Sequence, residues 1–322
     1  MSQPPDIERA VAVLQRGGIV AFPTETVYGL GADATNPDAL ARLYAVKGRP
    51  AEHPVIVHLG RAAAIDEWAN GVPTAARRLA EALWPGPLTL VLAASTRVSR
   101  IATGGLDTVG LRVPAHAVAL DLLDAFGGGI AAPSANRFGR VSPTSAHAVR
   151  RDLDGEVDVV LDGGPCAVGV ESTIVAVTDA DVCILRPGAV TAETVAELTG
   201  RIPTLGGATR VPGSLPAHYA PDARVELVTS ARVRDRVAAL GADRDVHVGV
   251  LGLASDLESV DAAVPAVTLA AVSDVEEYAR VLYAALREAD ALGLDVVVAV
   301  APVERGIGTA VADRLRRAAS GR

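Results

Sequence analysis

GGIVAFPTETVYGLGADATNPDALARLYAV, residues 17–46, is the stretch whose reading decides the fold. Gly17 and Gly18 close a helix expected over 6–14, in which Ile7, Ala10, Val11 and Leu14 share one face. Residues 19–22 then form a short apolar strand, and a polar loop runs on through Gly31. Asn36-Pro37 starts the next helix, with asparagine as the cap and proline at the first helical position. Leu40, Leu43 and Tyr44 make its buried stripe. Strand, polar loop and helix form the repeating unit of an α/β domain, and open α/β sheets usually hold their ligands at such strand-end loops.

The same alternation continues outward. Strands are expected over 55–59, 88–92, 109–113, 130–132, 157–161, 172–177 and 182–185, and helices over 74–83, 117–125 and 191–198. The closely spaced strands between 157 and 185 call for antiparallel pairs, hence a mixed sheet. Residues 201–223, RIPTLGGATRVPGSLPAHYAPDA, are rich in proline and glycine and read as a linker. Beyond it, strands over 225–228, 246–251, 267–269 and 296–300 alternate with helices over 231–240, 275–292 and 307–319, enough for a second, smaller α/β domain. The expected division is a catalytic domain over 1–200, a linker and candidate lid over 201–223, and a C-terminal domain over 224–322.

Composition narrows the function classes. Aromatic residues are only 3% of the chain, so the core rests on Ala, Val, Leu and Ile. The net charge is −8, from 38 acidic and 30 basic residues, which opposes nonspecific adhesion to nucleic acid or anionic membrane. Cys166 and Cys183 lack metal-ligand spacing and read as structural. No basic leader precedes an apolar stretch, and no apolar run reaches the roughly 18 residues of a membrane span, so a cytoplasmic location is expected.

Polar residues cluster at the strand ends. Thr24, Glu25, Thr26 and Tyr28 follow the first strand and suit either a binding site or a capped turn. Lys47 and Arg49 flank Gly48, giving a point charge and a planar donor fork suited to carboxylate, bicarbonate or phosphate; a solvated helix end is the plainer alternative. His58 alternates with apolar neighbours and faces either a cleft or a structural partner. Ser134 and Asn136 could bind a nucleotide or satisfy a turn, and Ser172 and Thr173 repeat that pattern. Arg112 and Arg186 lie beside strands and need solvent or an anionic partner, because burying them unpaired is costly. No Walker A loop, GxGxxG fingerprint or zinc-ligand series is present.

FPTETVYGLGADA, KGRP with HPVIVHL, WPGPLTLVL, VGLRVP, APSAN, GVESTIV and LRPG follow one another in this order. The ordered set resembles the YrdC/Sua5 family of threonylcarbamoyl-AMP synthases, and the linker ending His218-Tyr219-Ala220-Pro221 is similar to that of the longer, two-domain members. The resemblance implies a YrdC-like domain with a twisted mixed sheet, followed by a smaller Rossmann-like Sua5 domain.

It also implies a nucleotidyltransferase that converts L-threonine, bicarbonate and ATP to L-threonylcarbamoyladenylate and pyrophosphate. The adenylate would pass to a separate tRNA threonylcarbamoyl-transfer system, for N6-threonylcarbamoyladenosine at tRNA position 37. Lys47 and Arg49 would be catalytic and would bind ATP together with Ser134, Asn136, Ser172 and Arg186. Thr24, Thr26, Tyr28, His58, Arg112 and Thr173 would form the threonine and bicarbonate site. Tyr219 would reach the ligands from a lid, and magnesium would arrive on the nucleotide rather than in a protein cage. An RNA-binding module of the same fold and a carbamoyl-transfer maturation protein are the alternative readings.

Overall fold

In the computed structural model, the described residues are 6–207, 209, 211–213, 218–260 and 266–321. They cluster into two units, one holding residues 1–138, 142–167 and 171–214, the other 139–141, 168–170 and 215–322.

The first unit is built on a ten-stranded sheet. Its spatial order is Thr204–Leu205, Val182–Arg186, Thr173–Val177, Leu88–Ala93, Thr108–Arg112, Ile56–His58, Ile130–Ala131, Gly29–Asp33, Val20–Phe22 and Val159–Val160. Four neighbouring pairs are parallel and five antiparallel, so the sheet is mixed as expected. Alternate residues of one strand feed separate cores, as the two-residue period of a strand requires. Val20 and Phe22 join a core with Ala10, Val13 and Leu14 of helix Ile7–Gln15 and Leu122 and Leu123 of helix Ala117–Phe126. Ile19 and Ala21 join a larger core with Leu40 and Leu43 of helix Pro37–Lys47 and Leu79 of helix Thr74–Leu83. Helix Pro37–Lys47 starts as read, with the Asn36 side chain accepting from the amides of Asp38 and Ala39.

Two elements differ from the sequence reading. Gly29–Asp33, read as loop, is a fully paired strand. Its glycines serve close packing: a Cβ on Gly31 would lie 2.7 Å from Ile130 and 2.8 Å from the Phe22 ring. Helix Ala146–Leu153 was not expected at all, although Ser145 caps it and Ala146, Val149 and Leu153 bury one face. Two residues of the expected linker join the sheet and a third packs on it. Thr204–Leu205 pairs with Val182–Arg186, and Val211 packs against Ile56, Val91 and Ile174.

The second unit has four parallel strands in the order Arg224–Val228, Val296–Val300, Val248–Leu253 and Ala266–Val272. Val296–Val300, VVVAV, is central and buried throughout, the pattern of a parallel strand covered on both faces. Helix Ser230–Gly241 places Val233 and Val237 on a core of Val248, Val250, Val296, Val298 and Val300. Helix Val275–Ala291 buries Tyr278, Leu282 and Leu286 and is capped by Asp274, which accepts from the Glu277 amide. Among the described residues no helix is long and apolar enough to cross a membrane.

Candidate active site

The sheet of the first unit does not put its polar loops along one carboxyl edge. Strands Val20–Phe22 and Ile130–Ala131 run one way, while Ile56–His58 and Thr108–Arg112 run the other. Between these strands the rings of Phe22 and His58 meet edge to face at 5.8 Å.

The Thr24–Tyr28 loop is held by its own side chains. The Thr24 hydroxyl donates to the Val27 carbonyl at 2.6 Å, so in its 2.8 Å contact with Thr26 it is the acceptor. Thr26 in turn accepts from Arg112 Nη1 at 2.9 Å. Arg112 is 4% exposed, and its Nε donates to the Gly86 carbonyl at 3.3 Å. Its Nη2 lies 2.6 Å from Oε1 of the buried Glu25. The anionic partner that Arg112 requires therefore sits inside the Thr-Glu-Thr motif.

The sequence reading placed Glu25 in this polar loop without assigning it a partner, and the structure pairs it with Arg112. Beside this pair, His58 is buried; burial first, then the charge of Arg112, push its pKa down to about 3, so the imidazole is neutral at physiological pH. The Tyr28 hydroxyl donates to the Gly164 carbonyl at 2.8 Å and accepts from the Gly163 amide at 3.2 Å. Burial raises its pKa to about 12.

Lys47 is 1% exposed and not a solvated helix end. Gly48, at φ 65°, turns the chain out of the helix in the left-handed region that favours glycine, and the preceding ammonium points inward. Lys47 Nζ donates to the carbonyls of Ser134 at 2.5 Å and Asn136 at 2.9 Å, and lies 3.4 Å from each of their side-chain oxygens. Four oxygens surround the ammonium, none of them from a carboxylate. Burial, followed by the charge of Arg49, lowers its pKa well below the usual lysine range. Arg49 donates to the carbonyls of His53 and Pro54, and its guanidinium lies 5.7 Å from the centre of the Phe138 ring.

Ser172 and Arg186 form a third group. The Ser172 hydroxyl contacts Thr89 at 2.8 Å, and Arg186 donates to the Ser172 carbonyl at 2.9 Å and to its hydroxyl at 3.1 Å. Arg186 also donates to the Pro212 carbonyl. The neighbouring Glu171 is buried and accepts from Ser142 at 2.7 Å, a pair the sequence reading did not single out. The Thr173 hydroxyl donates to the Val190 carbonyl at 2.7 Å and accepts from the Val190 amide at 3.0 Å. Both bonds hold the turn after Arg186, and the hydroxyl has no proton left for a ligand.

Backbone bonds join the three groups. Ala135 N donates to the Tyr28 carbonyl and Leu30 N to the Pro133 carbonyl, which ties the Ser134 loop to the threonine loop. Gly86 N donates to the Val113 carbonyl and Thr173 N to the Pro87 carbonyl, so the Trp-Pro-Gly-Pro segment links Arg112 to Ser172. These bonds connect the three groups in one network. Tyr219 belongs to the second unit. It is buried there at φ 62°, stacked on Tyr283 at 5.6 Å, with the Arg314 guanidinium 5.3 Å from its ring centre.

A family model described as Telomere recombination, the Sua5, YciO and YrdC family, matches residues 12–188. A second, described as the C-terminal domain of threonylcarbamoyl-AMP synthase, matches residues 190–320. The chain belongs to the two-domain Sua5 family. The threonylcarbamoyl-AMP synthase of Pyrococcus abyssi is 42% identical over 97% of this chain and 93% of its own length. That of Bacillus subtilis is 38% identical over 99% of this chain and 94% of its own. The crystal structure of P. abyssi Sua5 complexed with L-threonine superposes with a TM-score of 0.89 at 41% identity, covering 98% of this chain and 94% of that one. The mixed sheet and the smaller parallel domain are therefore the Sua5 architecture over nearly the full length of the chain.

Proposed function

We infer that this protein is a threonylcarbamoyl-AMP synthase, which makes the adenylate and pyrophosphate from L-threonine, bicarbonate and ATP. The observation that carries the reading beyond family membership is Lys47, a buried amino group held by carbonyl and amide oxygens with no carboxylate among them, whose protonated form a bound anion would favour.

The chemistry has two steps. The threonine amine condenses with bicarbonate, releasing water and leaving a carbamate. A carbamate oxygen then attacks the α-phosphorus of ATP, and pyrophosphate leaves. Each step brings anions together, so the protein's task is to place them and offset their repulsion. Lys47 and Arg49 carry the cationic charge for the phosphates and the carbamate, with Ser134, Asn136, Ser172 and Arg186 around the nucleotide. Arg112 receives the threonine carboxylate, between Thr26 and the neutral His58. Tyr28 and Thr24 shape the loop that closes this corner, and Thr173 positions the turn beyond Arg186.

Magnesium enters with the triphosphate as part of the substrate. Among the described residues no group of three His, Cys, Asp or Glu side chains could hold a metal ion, and no step here runs through a protein-held ion. The adenylate is a reactive mixed anhydride, suited to a following transfer of the threonylcarbamoyl group to tRNA.

Incubation with ATP, bicarbonate and L-threonine tests the reaction by mass detection of the adenylate and pyrophosphate. Product should appear only with all three present. ATP turnover indifferent to threonine would sink the assignment.

A further inference from the structure

We propose that Phe138 is a positioning residue for the reaction: its ring sets the tilt of the Arg49 guanidinium, and its amide closes the loop that holds Lys47. The proposal rests on the reading of these two cations as the groups that meet the phosphates and the carbamate.

The chain has only three phenylalanines. Phe22 and Phe126 belong to the core shared with helix Ile7–Gln15, whereas Phe138 sits half-buried in the loop after Asn136. The Arg49 guanidinium carbon lies over its ring, 5.7 Å from the centre, within reach of a cation–π contact. The ring of His53 meets the same phenyl group edge to face at 5.6 Å. His53 also accepts from Arg49 Nε through its carbonyl at 3.1 Å, so the three residues brace one another in a closed triangle.

A guanidinium is flat, and its direction matters as much as its place. The bonds from Nε to the His53 carbonyl and from Nη2 to the Pro54 carbonyl, the second at 2.7 Å, hold it along a line. A flat group held along a line can still tilt about it, and the phenyl face opposes that tilt. Lys47 is gripped by the same loop at both ends. Its carbonyl accepts from the Phe138 amide at 2.8 Å, and its Nζ donates to the carbonyls of Ser134 and Asn136. Leucine at position 138 would keep the backbone bond and much of the volume but would present no π-face to the cation. Tyrosine would keep that face.

The test is the steady-state rate of adenylate formation by the full-length protein. Phe138→Leu should lower kcat roughly tenfold, because a tilted arginine meets the phosphates out of the productive geometry. The KM for threonine, set at Arg112, should stay within about twofold of the wild type. Phe138→Tyr should hold kcat within about twofold of the wild type. Arg49→Lys keeps the charge but loses the flat fork, and in that background Phe138→Leu should cost less than about a further twofold. A merely structural loop would carry its full loss into that background. An unchanged kcat in Phe138→Leu, an equal loss in Phe138→Tyr, a matching rise in the threonine KM or the full loss repeated on top of Arg49→Lys would overturn the proposal. Wild-type turnover in Arg49→Ala would instead overturn the assignment of Arg49 on which it stands.

Discussion

The two units bury different chemistry. In the first, Lys47, Arg49, Glu25, Arg112, Glu171 and Arg186 are all buried, together with the hydroxyls and amides that surround them. In the second, the sheet core is hydrocarbon, with Val233, Val237, Val248, Val250, Val296 and Val298 on one face. Its buried arginines lie off the sheet, Arg314 on helix Gly308–Ala319 beside Asp313, and Arg287 on helix Val275–Ala291 donating to the Val141 carbonyl. A parallel sheet covered on both faces reaches stability by burying apolar area. The mixed sheet of the first unit instead leaves strand ends whose polar groups must be satisfied one by one. That difference separates residues kept for packing from residues kept for a ligand.

The contrast is breakable. Lys47→Ala should give the largest effect, lowering kcat/KM for adenylate formation by roughly a hundredfold or more, while the far-ultraviolet circular dichroism stays native. Wild-type turnover would remove Lys47 from the machinery.

His58 gives the next effect, and it appears against pH. Its folded pKa of about 3 lies below the unfolded value near 6.5, so the folded state resists a proton that the unfolded state accepts. The resulting stability is fully present above about pH 6.5 and is lost as pH falls toward 3, on the order of 3 kcal/mol by pH 4. Thermal unfolding from pH 8 to pH 4 should therefore fall less steeply for His58→Gln than for the wild type, and parallel curves would reject the buried neutral imidazole.

Val298→Ala in the second unit should cost about 2 kcal/mol in denaturant unfolding and leave the KM values unchanged. A changed threonine KM would mean that this core is not purely structural. Thr173→Val is the finest test: about 1 kcal/mol of stability lost with the Val190 bonds, and a threonine KM within about twofold of the wild type. A large rise in that KM would return Thr173 to the ligand.

Much of this was legible in the sequence where chemistry is local. The Asn36-Pro37 start, the helices expected over 6–14 and 191–198 and the central strand VVVAV depend on neighbouring residues, and the structure keeps them, with Asp6 and Thr191 as caps. Gly29–Asp33 was not legible, because its glycines answer to Phe22 and Ile130 packed against them from other strands. Helix Ala146–Leu153 escaped because SPTSAHAVRRDL opens on small polar residues that resemble a loop. The cationic chemistry of Lys47 and Arg49 could be read from residue type, whereas the inward aim of Lys47 needed the left-handed turn at Gly48. The Glu25–Arg112 couple joins residues 87 positions apart, and no local pattern announces such a partner. The bond from the Thr173 hydroxyl to Val190, across a strand turn, was not legible for the same reason.

The short pieces 139–141 and 168–170 group with the second unit although they lie inside the first 200 residues of the chain. Arg140 grips Asp222 through two bonds, the Ala220 amide reaches the Gly139 carbonyl, and Gly169 approaches the backbone of Ala279 and Arg280 too closely for any side chain. The polypeptide therefore passes from one unit to the other at five points rather than one. Modularity here is one of packing and not of inheritance. A gene broken after residue 200 would encode a fragment still carrying two loops shaped for neighbours it no longer has.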